Sequence, residues 1–528
     1  MLHSDHDHDR RALFSRLLFP VALLSICLYA FILRAPAINP DSLWYDDAWV
    51  ALAAKANNTQ ELWELGRSSP IGFTVINYLM PRIIPDVEIA GQIVPLAASL
   101  LLIPVVALLI LYMTQSRTAA LAAAGVCAVS PILLLYSTRV KQYTIDALAT
   151  SLLLLLFFRM TQKDFSIRNY LYLFLASLLF LPFSHTYFFI GFLFVNFSAL
   201  CVFIHNYKNK IVILYLVLLS AIYNSLLFAY YCFVLSKQSK PHLKNFWADA
   251  FLPWQSGMED VLHYFIYKLP KIMAAFPTFQ GIPVYFWGIF YVFFIFGGML
   301  FLLQNKKFWL MAVVSALVMI MALVLSALKI YPLGGGRVDA YLHPLLIIWF
   351  VLGAFHYCQL LRLPKKWLKI TMGCALAFIL ATGTVQAVSK NYPYHYRDNG
   401  RLYVQKLEQA YQTGSGVLIF PMDSYLFGLY TTWPYAFDFS GTCRSWICTD
   451  NPDVYVMPHA RNFRSDPEEL FSRIQWFIEK DYPVLLYLGT HSRGDFDAFL
   501  KSHLHTKGYR LIEKDRDRGS VLMTFKRI

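Results

Sequence analysis

The sequence predicts a membrane all-α protein, a polytopic bundle of about eleven transmembrane helices, with a small soluble α/β domain at its C-terminal end. Three observations predict it. The chain is 57% hydrophobic and only 15% charged, too apolar a balance for an ordinary soluble fold. Its apolar residues fall into discrete runs separated by polar links. Beyond Val388 the runs stop and a mixed helix and strand rhythm replaces them.

The runs, in order, are Leu13–Leu33, Ile89–Met113, Ala119–Leu135, Ile145–Phe158, Tyr170–Phe183, Thr186–Ile204, Ile211–Leu235, Ile282–Leu303, Trp309–Leu328, Tyr341–Leu361 and Trp367–Val388. Most approach the roughly 20 residues that cross a hydrocarbon core of about 30 Å. Ile145–Phe158 and Tyr170–Phe183 are short, which predicts tilt or a start outside the core. The first run resembles a signal core, and Ala35-Pro36-Ala37 offers small residues for cleavage, but its length favours a retained helix.

The net charge of +14 does not point to nucleic acid, because Lys and Arg are scattered through the links rather than gathered on one soluble face. With the Arg10, Arg11, Arg16 end cytoplasmic, the inner links carry Arg117; Arg159, Lys163 and Arg168; Lys208 and Lys210; Lys306 and Lys307; and Arg362, Lys365, Lys366 and Lys369. Asp164 is the one acid among them. That density of base is the positive-inside pattern, and it predicts a cell (inner) membrane protein with residues 389–528 outside the cytoplasm. Residues 1–12 are expected to form a cytoplasmic tail. Its His3, Asp5, His6, Asp7, His8 and Asp9 are metal-ligand types, although a flexible solvated tail is the plainer expectation.

Four non-spanning regions then face one side. Arg34–Glu88 reads as helices lying along the interface, at Ser42–Ala56, at Glu61–Leu65 and from Ser69 to Pro81. Tyr136–Asp146 separates two spans. Ser236–Gln280 is rich in aromatic residues suited to headgroup depth. The fourth is Lys329–Asp339. In the C-terminal domain, Val417–Phe420, Val454–Val456, Val484–Leu488 and Val521–Lys526 read as strands, and Pro467–Lys480 and Asp495–Lys507 as helices. Six of the eight Cys lie in apolar runs; Cys443 and Cys448 do not. These two are disulfide candidates in an oxidising compartment, with a pair of free thiols as the alternative.

Chemistry-bearing residues interrupt the apolar pattern at three places. Trp44-Tyr45-Asp46-Asp47 places two acids among aromatics just outside the first span. Acids beside a membrane are costly unless hydrated, paired or used, so Asp46 or Asp47 is a candidate base, and a negatively charged helix start is the bland reading. Tyr136-Ser137-Thr138-Arg139-Val140-Lys141-Gln142-Tyr143, with Asp146 after it, puts two cations at a span boundary where a lipid phosphate would lie. Snorkelling to headgroups explains them equally well. Tyr331-Pro332-Leu333-Gly334-Gly335-Gly336-Arg337 combines glycines that admit close backbone approach with a planar guanidinium. It lacks the Lys-Ser/Thr of a nucleotide phosphate loop. His343 and His185 read as core histidines before they read as ligands.

These motifs resemble the GT-C class of membrane glycosyltransferases, which includes protein O-mannosyltransferases and the aminoarabinose transferases of lipid A. Tyr45-Asp46-Asp47 is similar to the acidic motif of the class's first outer loop, Tyr136-Ser137 with Lys141-Gln142-Tyr143 and Asp146 to its second-loop motif, and Tyr331-Pro332 with the glycines and Arg337 to its late outer loop. The resemblance implies a GT-C-like bundle over most of the first ~390 residues. It implies an inverting transfer from a polyprenyl-phosphate sugar to a lipid, glycan or protein acceptor on the extracytoplasmic face. Asp46 or Asp47 would be the base. Lys141, Arg337, Arg139 and Tyr143 would hold the donor phosphate, and Tyr45, Trp44, Tyr136, Asp146, Gly335, Gly336 and His343 would line the substrate site. The chain departs from bacterial members at Arg139, where they often carry Glu. Some members use a divalent metal beside the acids and others do not, so a metal stays open.

The acids, Lys141 and Arg337 are expected to converge in one water-accessible pocket. A transporter or flippase is the rival reading, and it would show paired repeats with broken helices at mid-bilayer. A ligase or polymerase of lipid-linked glycans is closer in chemistry and would use a large loop such as Ser236–Gln280.

Overall fold

The computed structural model describes the chain except residues 1–3, 39–41, 164, 239–246, 269–271, 274, 279–283, 335, 363, 390–398, 440–445, 458–466, 490–493 and 518–519. It divides into two compact units: Met1–Ile38 with Gln92–His395, and Asn39–Gly91 with Tyr396–Ile528.

The first unit is all helix. In order come α1 (Ser4–Arg34), then, after three short helices of the other unit, α5 (Val87–Thr114), α6 (Arg117–Val129), α7 (Pro131–Ser137), α8 (Tyr143–Lys163), α9 (Ile167–Phe180), α10 (Tyr187–Asn206) and α11 (Lys210–Tyr230). They are followed by α12 (Val284–Gln304), α13 (Trp309–Ala327), α14 (His343–Leu360) and α15 (Lys365–Ser389). Among the described residues, nine helices are long and apolar enough to span a membrane. The bent pair α6–α7 and the shorter apolar helix Ile167–Phe183 account for the two remaining apolar runs. The chain is a multi-pass membrane protein. Helices are the form these segments must take, since lipid offers no partner for a free backbone N–H or C=O.

Ser130-Pro131 explains the bend of 55° between α6 and α7. Proline lacks the N–H that would continue α6 and pushes the preceding residue out of the helical region, and Ser130 accordingly sits at φ −58°, ψ 120°. The run that looked too short at Ile145–Phe158 is a full span, because the helix begins two residues earlier and extends to Lys163. The helix of α1 also starts at Ser4, so the His/Asp-rich run expected as a flexible tail lies in its first turns.

Of an 18-residue stretch within Arg337–Leu360, 94% is buried, against 17% within Lys210–Gln238, so α14 is central in the unit and α11 peripheral. Helices α12 and α14 approach closely because both are glycine at the crossing. A Cβ on Gly298 would collide with the Trp349 carbonyl, and one on Gly353 with the Phe294 carbonyl. Small residues at such crossings let backbones pack where lipid supplies no hydrophobic drive. At the end of α1, the fully buried Arg34 donates to Ser99 Oγ at 3.0 Å and to the Ala30 and Ala128 carbonyls at 2.9 Å.

The second unit joins α2 (Tyr45–Ala51), α3 (Thr59–Leu65) and α4 (Ile71–Leu79) to the C-terminal domain. Asn58 caps α3 by accepting from the Glu61 N–H at 2.9 Å, the reason that helix starts where it does. The C-terminal part runs α16 (Gly400–Ala410), β1 (Gly416–Ile419), α17 (Ser424–Tyr430), β2 (Tyr435–Phe437), β3 (Ile447–Thr449), β4 (Val454–Val456), α18 (Pro467–Ile478), β5 (Val484–Leu488), α19 (Gly494–Thr506), β6 (Tyr509–Asp517) and β7 (Ser520–Arg527).

Five strands form one sheet in the order β4-β1-β5-β7-β6, parallel from β4 to β5 and antiparallel beyond. Alternation along each strand gives the sheet two apolar faces. Leu418, Tyr455, Leu485 and Tyr487 pack with Ile474 of α18 and Leu500 of α19, while Val417, Ile419, Leu486 and Leu488 pack with Val404 of α16 and Phe427 of α17. The domain is therefore a three-layer α/β/α sandwich.

Candidate functional site

In the first unit, the span interruptions at 138–142 and 331–337 are brought together. Thr138-Arg139-Val140-Lys141-Gln142 is a helix break between α7 and α8. The Lys141 N–H donates to the Arg139 carbonyl at 2.7 Å, and the Gln142 carbonyl accepts from Ile145 and Asp146 to start α8. Thr144 ties that start to α5 by donating to the Pro95 carbonyl at 2.8 Å. Arg139 and Lys141 are each 5% exposed, far more buried than snorkelling side chains, which keep their charged ends in water.

Tyr136 and Tyr143 flank the break with their rings edge to face at 5.0 Å. They pack against Val338 and Ala340, with Trp247 and Tyr331 beside them. The peptide that carries Arg337 thus lies on the tyrosines that bracket Arg139 and Lys141. The Arg337 guanidinium sits over the Trp247 ring at 5.3 Å, a cation–π contact that orients the fork. The turn depends on Gly336, whose φ of 75° lies in the region that disfavours any side chain. Its N–H donates to Asp339 Oδ2 at 2.9 Å. Gly335 lies outside the described residues.

Two further contacts hold this loop. The Leu333 N–H donates to the Ala250 carbonyl at 2.9 Å, and the Tyr264 hydroxyl donates to the Leu333 carbonyl. Residues of the aromatic segment 236–280 therefore brace the Arg337 turn. Burial, with Asp146 and Tyr341 nearby, holds the Tyr331 hydroxyl well above the ordinary tyrosine range, so it stays neutral. Asp146 is 1% exposed, with the hydroxyls of Ser184 and Thr186 near its carboxyl. His343, expected as a satisfied core histidine, is fully buried, yet neither ring nitrogen meets a hydrogen-bond partner among the described residues. His185, in contrast, shares a 3.1 Å hydrogen bond with Gln238.

The acids belong to the second unit. Asp46 and Asp47 occupy the first turn of α2, where negative charge complements the free N–H groups of the helix end. The Trp44 carbonyl accepts from Asp47 and Ala48 at 2.9 and 2.8 Å. Asp47 is 3% exposed, and Asp46 is half-buried. The C-terminal domain supplies the other wall of this acid turn. Trp49 stacks on Tyr425 of α17 at 5.0 Å, and Trp446 lies 5.2 Å from the same ring and donates to Ser424 Oγ. Burial first, and then Asp46 and Tyr45, push the Tyr425 hydroxyl well above its usual range. Trp44 and Tyr45 pack edge to face at 4.6 Å.

Sequence reasoning missed Tyr425 and Trp247. Both are single aromatics in aromatic-rich segments, and only packing distinguishes them. Glu88, also buried, is ion-paired with Arg401, a structural duty. Among the described residues, no group of three His, Cys, Asp or Glu side chains could hold a metal ion. Cys448 is disulfide-bonded, and Cys443 lies outside the described residues.

No protein-family model and no curated protein matches the chain. Solved structures do. The crystal structure of apo ArnT from Cupriavidus metallidurans aligns with a TM-score of 0.53 at 13% identity, covering 97% of this chain and 98% of that one. The chain has the fold of ArnT. The crystal structure of the Cupriavidus metallidurans ArnT bound to undecaprenyl phosphate aligns with a TM-score of 0.51 at 11% identity over the same shares. ArnT is a lipid A aminoarabinose transferase of the GT-C class, so the resemblance read from three short motifs is matched by the backbone of nearly the whole chain. The match to ArnT extends through the C-terminal domain as well as the helical bundle.

Proposed function

We propose that this protein is an inverting glycosyltransferase that moves a sugar from a polyprenyl-phosphate donor to a lipid, glycan or protein acceptor on the extracytoplasmic face. One observation carries the reading. Three cations, Arg139, Lys141 and Arg337, occur in two span interruptions that pack on one another through Tyr136, Tyr143, Val338 and Ala340. Two buried cations and a half-buried one at span ends, beside aromatic rings, suit a phosphate that enters from lipid. ArnT, whose fold the chain shares, has been crystallised with undecaprenyl phosphate.

In the proposed reaction, Asp46 or Asp47 takes the proton of an acceptor hydroxyl as its oxygen forms a bond to the anomeric carbon. The bond from that carbon to the phosphate oxygen breaks, its electron pair stays on the phosphate, and the anomeric configuration inverts. Lys141 and Arg337 stabilise the charge that develops on the departing phosphate, the kind of contribution that is usually the largest in such catalysis. Arg139 and Tyr143 assist in holding the phosphate, and Asp146, Tyr136, Tyr45 and Trp44 contact the sugar or acceptor.

The test is incubation of the purified full chain with a panel of radiolabelled polyprenyl-phosphate sugars and a membrane-lipid extract as acceptor. Label should move from donor to acceptor for at least one sugar. Translocation of intact donor across a sealed vesicle, with no label transferred, would replace this reading with the flippase alternative.

A further inference from the structure

The second unit contains a cavity of about 370 Å3 lined by none of the residues given a role in transfer. Its walls come from Lys55, Asp86, Glu88, Arg401, Gln405 and Tyr430, contributed by the turn after α2, the start of α5, α16 and α17. The floor is fixed. The Glu88 carboxylate, 1% exposed, is ion-paired with Arg401, whose guanidinium lies over the Tyr430 ring at 5.0 Å. The Tyr430 hydroxyl accepts from the Leu43 N–H at 2.8 Å, and the Arg401 N–H donates to Ser42 Oγ at 3.0 Å. Asp86 is held as the cap of α5, accepting from the Ile89 N–H at 2.9 Å.

These constraints select the ligand by charge. Glu88 is compensated by Arg401, and Asp86 by the positive end of α5. Lys55 and Arg401 against Asp86 and Glu88 leave the wall with no net formal charge. A ligand that draws Arg401 away would leave the Glu88 carboxylate, 1% exposed, as a buried uncompensated charge. A neutral, hydroxyl-rich ligand need not do so, because the guanidinium, both carboxylates and the Gln405 amide keep donor and acceptor sites beyond those already used. The volume is within the range of small-ligand sites.

We propose that this cavity is a binding site for a neutral glycan of one or two sugar rings. It lies at the first turn of α5, the point at which the chain enters an apolar span of 28 residues, and so at the depth of a membrane-anchored glycan. The assignment does not depend on the transferase reading, since it concerns binding alone and uses none of the residues given a role in transfer.

Lys55, exposed at the rim, provides the readout. The full chain in phosphatidylcholine nanodiscs is treated with an amine-acylating reagent, and Lys55 modification is followed by mass spectrometry. One arm adds free maltose, cellobiose, lactose or N-acetylglucosamine, and a second uses discs containing a neutral diglucosyl lipid. Bound glycan should slow acylation about fourfold when present at about three times its Kd, and Gln405→Ala should abolish that protection. The arm that protects tells free from lipid-borne glycan. The proposal is overturned by an unchanged rate in both arms, by protection that survives Gln405→Ala, or by protection from inorganic phosphate but from no sugar. Donor transfer is not measured, so its failure would not produce any of these results.

Discussion

The cations of the first unit and the acids of the second are held in opposite ways. Arg139, Lys141 and Arg337 lie where helices are interrupted, on backbone that a break or a glycine turn frees from the span, and the Trp247 ring lies against Arg337. Asp46 and Asp47 lie on a helix, in the one turn of it that favours negative charge. A phosphate site inside an apolar protein needs several donors aimed at one point, which a regular helix cannot supply from neighbouring residues. A base needs a fixed carboxylate, and a helix start provides it. In the proposed reaction the breaks serve phosphate binding and the start of α2 serves proton transfer.

The sharpest way to break this contrast is at the acids. Asp46→Ala, Asp47→Ala and the double variant should between them lower transfer by about 10^2 to 10^4, with unchanged thermal unfolding in detergent. Full activity in all three would end the assignment. Arg337→Ala should cost about 10 to 100-fold in transfer, with Arg337→Lys intermediate because an ammonium keeps the charge but loses the planar fork. Trp247→Leu should give a smaller loss and a raised KM for the donor, since it removes the ring over Arg337 and leaves the charge; an unchanged KM would show that the stacking does not matter.

Smaller effects test the acid turn. Tyr425→Phe keeps the ring on Trp49 but removes the neutral hydroxyl near Asp46, so transfer should fall severalfold and its pH profile should shift; an unmoved profile would separate Tyr425 from the acid. Burial raises the hydroxyls of Tyr425 and Tyr430 above the ordinary range. Their contribution to stability is then complete below pH about 10, where unfolded tyrosine is still protonated, and is lost as pH rises beyond it. Alkaline unfolding of the second unit should begin there and move upward in Tyr425→Phe. Smallest is Lys406→Ala. Lys406 and Tyr403 hold the Asp515 carboxyl below its usual range, a contribution present above the unfolded carboxylate pKa and lost as pH falls through the folded one. Both side chains are 38% exposed, so the shift in the acid-unfolding midpoint should be slight.

The amphipathic helices of the first loop and four of the C-terminal strands were legible because apolar residues recur with the period of each element. The strand β6 was not. Its Glu513, Lys514, Asp515 and Arg516 break the apolar alternation that announces a strand, and they can do so because β6 is at the sheet edge, where charge also guards against unwanted pairing. Helix α17 was missed for the opposite reason. Ser424–Tyr430 is only seven residues long and nearly all buried, so no polar face reveals its period.

The sequence by itself determined which segments are too apolar to remain in water, where those segments are interrupted, and which charged residues stand at the interruptions. Hydropathy and periodicity are properties of neighbours along the chain, and they need no fold to be expressed. Only the tertiary structure decided that Trp247 covers Arg337, that Tyr425 stands beside Asp46 across more than 370 residues of chain, and that residues 39–91 form one compact unit with the C-terminal domain. Those pairings depend on complementary surfaces between distant segments, and one aromatic side chain in the sequence reads like another until packing gives it a neighbour.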